Sequence, residues 1–146
     1  MDYTSSRQRA GSPGLFAAIA RARPQLHCFG HIRDGWGAKN VAWNAEPSEV
    51  PSHFTDIDND ESHLLESLSN LNPQKFDDKD RTTDKTARRA TYSERGYCSA
   101  EAPTSEKQMQ THFVNAAIEG DSDEEKQWPW MVDLQLPLVN NHDLAD

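Results

Sequence analysis

The chain has 146 residues, is 35% apolar and has a mean hydropathy of −0.88, so it has room for one modest domain with a small core. Its net charge of −9 is unevenly spread: residues 1–43 carry +4, residues 44–110 carry −6 and residues 111–146 carry −7. This balance excludes nucleic-acid binding through a general basic surface, while the amino-terminal part can still attract an anion locally.

Cys28 and Cys98 are the only cysteines and form no CxxC unit, which argues against a thiolate zinc site and a disulfide-dense scaffold. Met1 to Ala10 has no apolar signal region, and no stretch approaches the ~18–20 apolar residues of a membrane span. A reduced, soluble, cytoplasmic setting is expected, without membrane or nucleic-acid partners.

In chain order, Ser12 as N-cap and Pro13 at the first helical position predict a helix that runs from Leu15 to Arg23 and stops at Pro24. Leu15, Phe16, Ile19 and Ala20 give it one apolar face. Gln25 to Phe29 then reads as a strand ending at Gly30. Gly35 and Gly37 bracket Trp36 in a turn, and Asn40 to Trp43 reads as a second strand. Residues 44–110 have few large apolar residues and are expected to be mostly loop, an acidic, low-order insertion or linker between residues 1–43 and 111–146. The stripe Leu64, Leu65, Leu68, Leu71 leaves one or two helical turns open within it. Thr111 to Ala117 and Trp130 to Leu136 read as strands, separated by the acidic loop Glu119 to Lys126. So few strands do not make a self-sufficient sheet with two covered faces, and partners outside the chain are expected.

The stretch that carries chemistry is Gly30, His31, Ile32, Arg33, directly after a strand, where α/β enzymes assemble sites from loops. The surrounding RARPQLHCFGHIRDGWGAKNVAW (Arg21 to Trp43) resembles the calcineurin-like metallophosphoesterase family, in particular its metallophosphoesterase-domain branch, which reads Arg-Pro-x-Leu-His-x-x-Gly-His-Ile-His-Glu-Gly-x-Gly. FVNAA (Phe113 to Ala117) and VDLQLP (Val132 to Pro137) resemble that branch's closing strands. The resemblance implies an α/β fold, here the carboxyl-terminal fragment of the family's αββα sandwich with a long irregular or disordered insertion. It also implies metal-dependent phosphoester hydrolysis on a pair of divalent ions, Mn, Fe or Zn.

In the family, both histidines of Gly-His-x-His bind metal. His31 matches the first, and Arg33 stands where the second is expected. Arg33 is protonated and has no lone pair to give, so it cannot ligate a cation. The family's Asp-x-His, Gly-Asp and Gly-Asn-His-Asp/Glu motifs are expected upstream, and none lies between Met1 and this segment. The expectation is therefore a truncated, inactive phosphoesterase with His31 as a remnant ligand that holds no metal stably, Gly30 and Trp36 lining the site, and a phosphoester substrate only in a complete domain. The alternative is a non-enzymatic acidic interaction protein derived from such an enzyme. At Arg33, phosphate binding by the guanidinium and simple drift both stay open.

Other residues read more plainly. His27 is expected to be structural, and Trp43 and Trp130 to be core. Asp56, Asp58 and Asp60 open like a calcium loop, but Glu61 stands where glycine is needed and Ser67 where the bidentate Glu belongs, so they read as solvated acids. Asp121 to Glu125 reads as a solvated turn, and Lys85 to Arg89 as a basic cluster too small for a nucleic-acid patch.

Overall fold

The computed structural model describes Thr4, Ser6 and residues 8–101, 109–119 and 127–134. Helix α1, Pro13–Ala22, begins as the sequence predicts, with the Ser12 hydroxyl accepting from the Leu15 amide at 3.3 Å. It ends at Arg23, whose φ of 46° turns the chain and whose N–H closes on the Ile19 carbonyl. The Arg23 guanidinium then donates to the Asn44 carbonyl at 2.8 Å, tying the helix end to the loop beyond the next strands. Phe16, Ile19 and Ala20 are buried, whereas Leu15 is half exposed, so the apolar stripe is narrower than its spacing suggests.

Four strands make the main sheet: β1 (Leu26–Phe29), β2 (Gly37–Trp43), β3 (Ile57–Ser67) and β5 (Gln110–Asn115), in the order β1-β5-β2-β3. β5 runs parallel to β1 and antiparallel to β2, which is antiparallel to β3. Helix α1 covers one face, where Phe16, Ile19 and Ala20 pack with Val41, Trp43, Ile57 and Phe113. Trp43 occupies the core as expected, and its indole N–H is satisfied by the Thr111 hydroxyl at 2.9 Å. His27 stacks on Phe29 and meets Phe113 edge-on. Burial lowers its pKa, as befits a packed imidazole.

The mostly-loop expectation for residues 44–110 does not hold. This stretch contains β3, the single turn α2 (Leu68–Leu71), the 17-residue helix α3 (Lys79–Arg95) and β4 (Cys98–Glu101). β3 escapes sequence pattern because it buries only Ile57 and Glu66, and its register against β2 shifts twice, erasing the period of two. In the leucine stripe, Leu64 and Leu65 lie on β3 and are exposed, while Leu68 and Leu71 form the helical turn.

Helix α3 has an Asp78 cap and Gly96 in the left-handed region at its end, but almost no apolar stripe. Charges fasten it. Lys85 is buried and donates to Asp77 at 2.7 Å and to the Ser69 and Asn72 carbonyls. Arg88 donates to Glu66 at 2.7 Å and to the Asn70 carbonyl. Arg89 reaches Asn72 and lies over the Trp128 ring. The small basic cluster of the sequence is thus the clasp that holds α3 to α2 and β3.

A second core joins Trp36, Leu71 and Cys98 with Leu68, Tyr92, Trp128 and Trp130. Beside it β4 pairs in parallel with β6, Trp130–Asp133; of the strand expected to run to Leu136, Gln135 and Leu136 lie outside the described residues. Burial, and then the Glu66 charge, push the Cys98 thiol up to about 12, so it is an inert packing group. Of the acidic loop, Gly120 to Lys126 lies outside the described residues, and Asp121 to Glu125 with it. Among the described residues no helix is long and apolar enough to cross a membrane.

Gly37 has a φ of 147°, and a Cβ placed there would stand 2.3 Å from the Glu66 carbonyl oxygen. Gly96 is also left-handed, but a Cβ on it meets nothing within 4 Å. Gly37→Ala should therefore lower the urea-derived unfolding free energy by more than about 2 kcal/mol, and Gly96→Ala by only about 1 kcal/mol. Equal losses would show that the close approach at Gly37 carries no weight.

Candidate functional site

The Gly30 to Arg33 stretch leaves the carboxyl end of β1 and turns at once. The Ile32 amide donates back to the Gly30 carbonyl at 2.9 Å, and His31 between them has a φ of 74°. An i to i+2 hydrogen bond around a positive φ of this size marks the strained kind of γ-turn, a conformation that non-glycine residues seldom hold without support. The support is Asn115, fully buried at the end of β5. Its side-chain amide donates to the Ile32 carbonyl at 2.8 Å, and its oxygen accepts from the Ala117 amide at 3.1 Å. The Ala116 amide meanwhile binds the Phe29 carbonyl at 2.8 Å, so β5 grips both the end of β1 and the turn beyond it.

Arg33 to Gly35 follow as a single 3-10 turn, and the Arg33 carbonyl accepts from the Trp36 amide at 3.0 Å and from the Gln127 side chain at 3.3 Å. His31 and Arg33 are both exposed. Residues i and i+2 share a side only on extended backbone; here one is left-handed and the other opens a 3-10 turn, so that alternation does not apply. At Gly30 an added Cβ would come no nearer than 3.9 Å to the Ala117 amide, so crowding does not demand glycine.

Trp36 is not the open, site-lining aromatic expected from its glycine-flanked position. It is 1% exposed, packs with Trp130 at 5.1 Å between ring centroids, and donates its indole N–H to the Trp128 carbonyl at 3.0 Å. Trp130, expected in the core, does pack there. The loop beyond His31 is therefore anchored by Trp36 from inside the second core.

Sequence reasoning missed Asn115 and His112, both buried on β5. The available signal was two polar residues inside an otherwise strand-forming run, because a buried amide in a strand needs specific partners. His112 lies opposite Asn40 in register, on the sheet face away from α1, and Asn40 donates to Gln110 at 2.9 Å. Among the described residues no group of three or more His, Cys, Asp or Glu side chains could hold a metal ion. One exposed imidazole beside a guanidinium does not fit the donor set of a two-metal centre.

The acids of the calcium-like stretch serve other ends. Asp56 is 1% exposed rather than solvated, and accepts from the Thr55 hydroxyl at 2.6 Å, the Ser48 hydroxyl at 2.7 Å and the Ser48 and Ser52 amides at 2.9 Å. Asp58 accepts from the amides of Asp60 and Glu61, which folds a local turn.

Burial pushes the Asp56 carboxyl up, but these four donors outweigh it and hold the group well below the ordinary carboxylate range. A depressed folded-state pKa contributes stability that is complete above the unfolded value of about 3.9 and is lost as pH falls below it. Wild type should thus exceed Asp56→Asn by about 1–3 kcal/mol at pH 6, with the gap shrinking toward pH 3, as read by urea unfolding at both pH values. A gap that widens with acid would overturn the assignment. Comparison with family models, with curated proteins and with solved structures finds no match for the chain.

Proposed function

We propose that the chain represents the closing segment of a calcineurin-like metallophosphoesterase domain of the αββα sandwich type, a phosphoester hydrolase by descent that does not turn over phosphoesters with its present side chains. The observation that carries this reading is that two of the three separated stretches of resemblance meet around one turn, while Val132 and Asp133 of the third lie on β6 in the smaller sheet. Arg21 to Trp43 supplies β1, the His31 turn and β2, while Phe113 to Ala117 supplies the strand that lies between β1 and β2, and Asn115 of that strand holds the turn. A strained, exposed histidine at the carboxyl end of a strand is how a side chain is presented to a site rather than packed away. His31 is then a lone ligand remnant, and Arg33 carries positive charge in place of the second ligand.

A second reading, an acidic interaction protein without catalysis, draws support from β1, which has a strand neighbour on one side only among the described residues.

The purified chain should not hydrolyse bis-p-nitrophenyl phosphate above background with Mn²⁺. Turnover that disappears in His31→Ala would refute inactivity. The family reading is tested separately by grafting Gly30 to Gly37 into a complete metallophosphoesterase of the same branch. Hydrolysis should fall about 100-fold or more and return when the graft carries Arg33→His. A graft that stays inactive with histidine restored would favour the interaction reading.

A further inference from the structure

We propose that Thr91 on α3 is a phosphorylation site for a basophilic protein kinase, and that the added phosphate unclasps α3 from β3. The local sequence is Arg88-Arg89-Ala90-Thr91, two guanidinium groups at the third and second positions before a hydroxyl, the charge pattern that kinases with an acidic substrate groove select. No other Ser or Thr on α3 has arginine at both positions: Thr82, Thr83, Thr86 and Ser93 all lack it.

Access requires α3 to open, and its construction favours opening. Of its 17 residues only Lys85 is buried, and the helix is held mainly by Lys85 to Asp77 and by Arg88 to Glu66, with Tyr92 as its one side chain packed into the second core among the described residues, rather than by an apolar stripe. Among the described residues the Thr91 hydroxyl donates to the Ala87 carbonyl of its own helix, at 3.1 Å. Kinase transfer moves the γ-phosphoryl group of ATP to Thr91 Oγ1: the bond to ADP breaks, the Oγ1–P bond forms, and the hydroxyl proton passes to the kinase's base.

The product places about −1.5 to −2 of charge three residues from Arg88 and near the negative end of the helix dipole. Arg88 now donates to Glu66 at 2.7 Å, to Asp84 at 3.1 Å and to the Asn70 carbonyl at 2.9 Å. A phosphate one turn away competes for that guanidinium. Glu66, buried, is then left with the Tyr92 hydroxyl and the Ser67 amide. The clasp loosens and α3 melts from its carboxyl end.

The test is to incubate the full chain with MgATP and a basophilic Ser/Thr kinase catalytic subunit, with a peptide of residues 85–95 as a positive control. Phosphosites are mapped by mass spectrometry and amide exchange is followed across residues 79–95. Thr91 should take up at least about ten times more phosphate than any other hydroxyl. Exchange in α3 should then accelerate at least about tenfold relative to Thr91→Val treated alike. Modification of the peptide but not of the protein would overturn the site, and modification of Thr91 with unchanged exchange would overturn the unclasping.

Discussion

Where β2 begins, its backbone comes so close to the end of β3 that the space a Cβ would need at Gly37 is already held by the Glu66 carbonyl. Three parts of the molecule hang on that contact. Immediately before it, Trp36 is driven into the second core and pulls the His31 turn after it. Across from it, Ser67 caps the helical turn that carries Leu71 into the same core. On its far side the Glu66 carboxylate, buried, receives Arg88 and Tyr92 from α3. A buried carboxylate is costly without its cation, so α3 is needed where Glu66 is buried, and Glu66 is buried because the strands close on Gly37.

The two halves of the fold are stabilised differently. Around α1 the sheet buries Phe16, Ile19, Val41, Trp43 and Phe113, an apolar core of the usual kind. Around α3 the contacts are largely ionic and carbonyl-directed, with Lys85 nearly as buried as any core residue. The His31 turn lies between these regimes. Asn115 secures it from the sheet side, and Trp36 with Gln127 secures it from the other. A strained backbone persists only where its surroundings over-determine it, and here both cores contribute.

What was legible in the sequence follows the same division. Ser12, Pro13 and the Phe16, Ile19, Ala20 spacing announce α1, and the short apolar runs announce β1, β2, β5 and β6, because hydrophobic burial leaves a periodic trace. β3 and α3 leave none. A strand with solvent on most positions and two register shifts has no alternation, and a helix fixed by Lys85 and Arg88 looks like a solvated charge run. At the site, His31 stood out by its place after a strand, but the conformation that distinguishes it did not, since a left-handed φ at histidine is imposed by Asn115, 84 positions later. Trp36 misled because flanking glycines suggest an open loop, whereas Gly37 is there to let two backbones touch.

The strand order has a consequence for how the molecule is assembled in time. β5 lies between β1 and β2 and bonds to both, yet it is separated from them by β3, α3 and β4. As the chain leaves a ribosome, β2 and β3 can zip into a hairpin early, whereas β1, among the described residues, gains its strand neighbour only when residues 110–115 appear. The closure of the sheet, and with it the shaping of the turn at His31, is therefore a late step built on long-range contacts, which form slowly because loop entropy must be overcome before any bond rewards it. Until then the hairpin presents the open backbone edge of β2 that β5 later fills, and an unpaired edge of this kind is exposed to mispairing in the nascent chain.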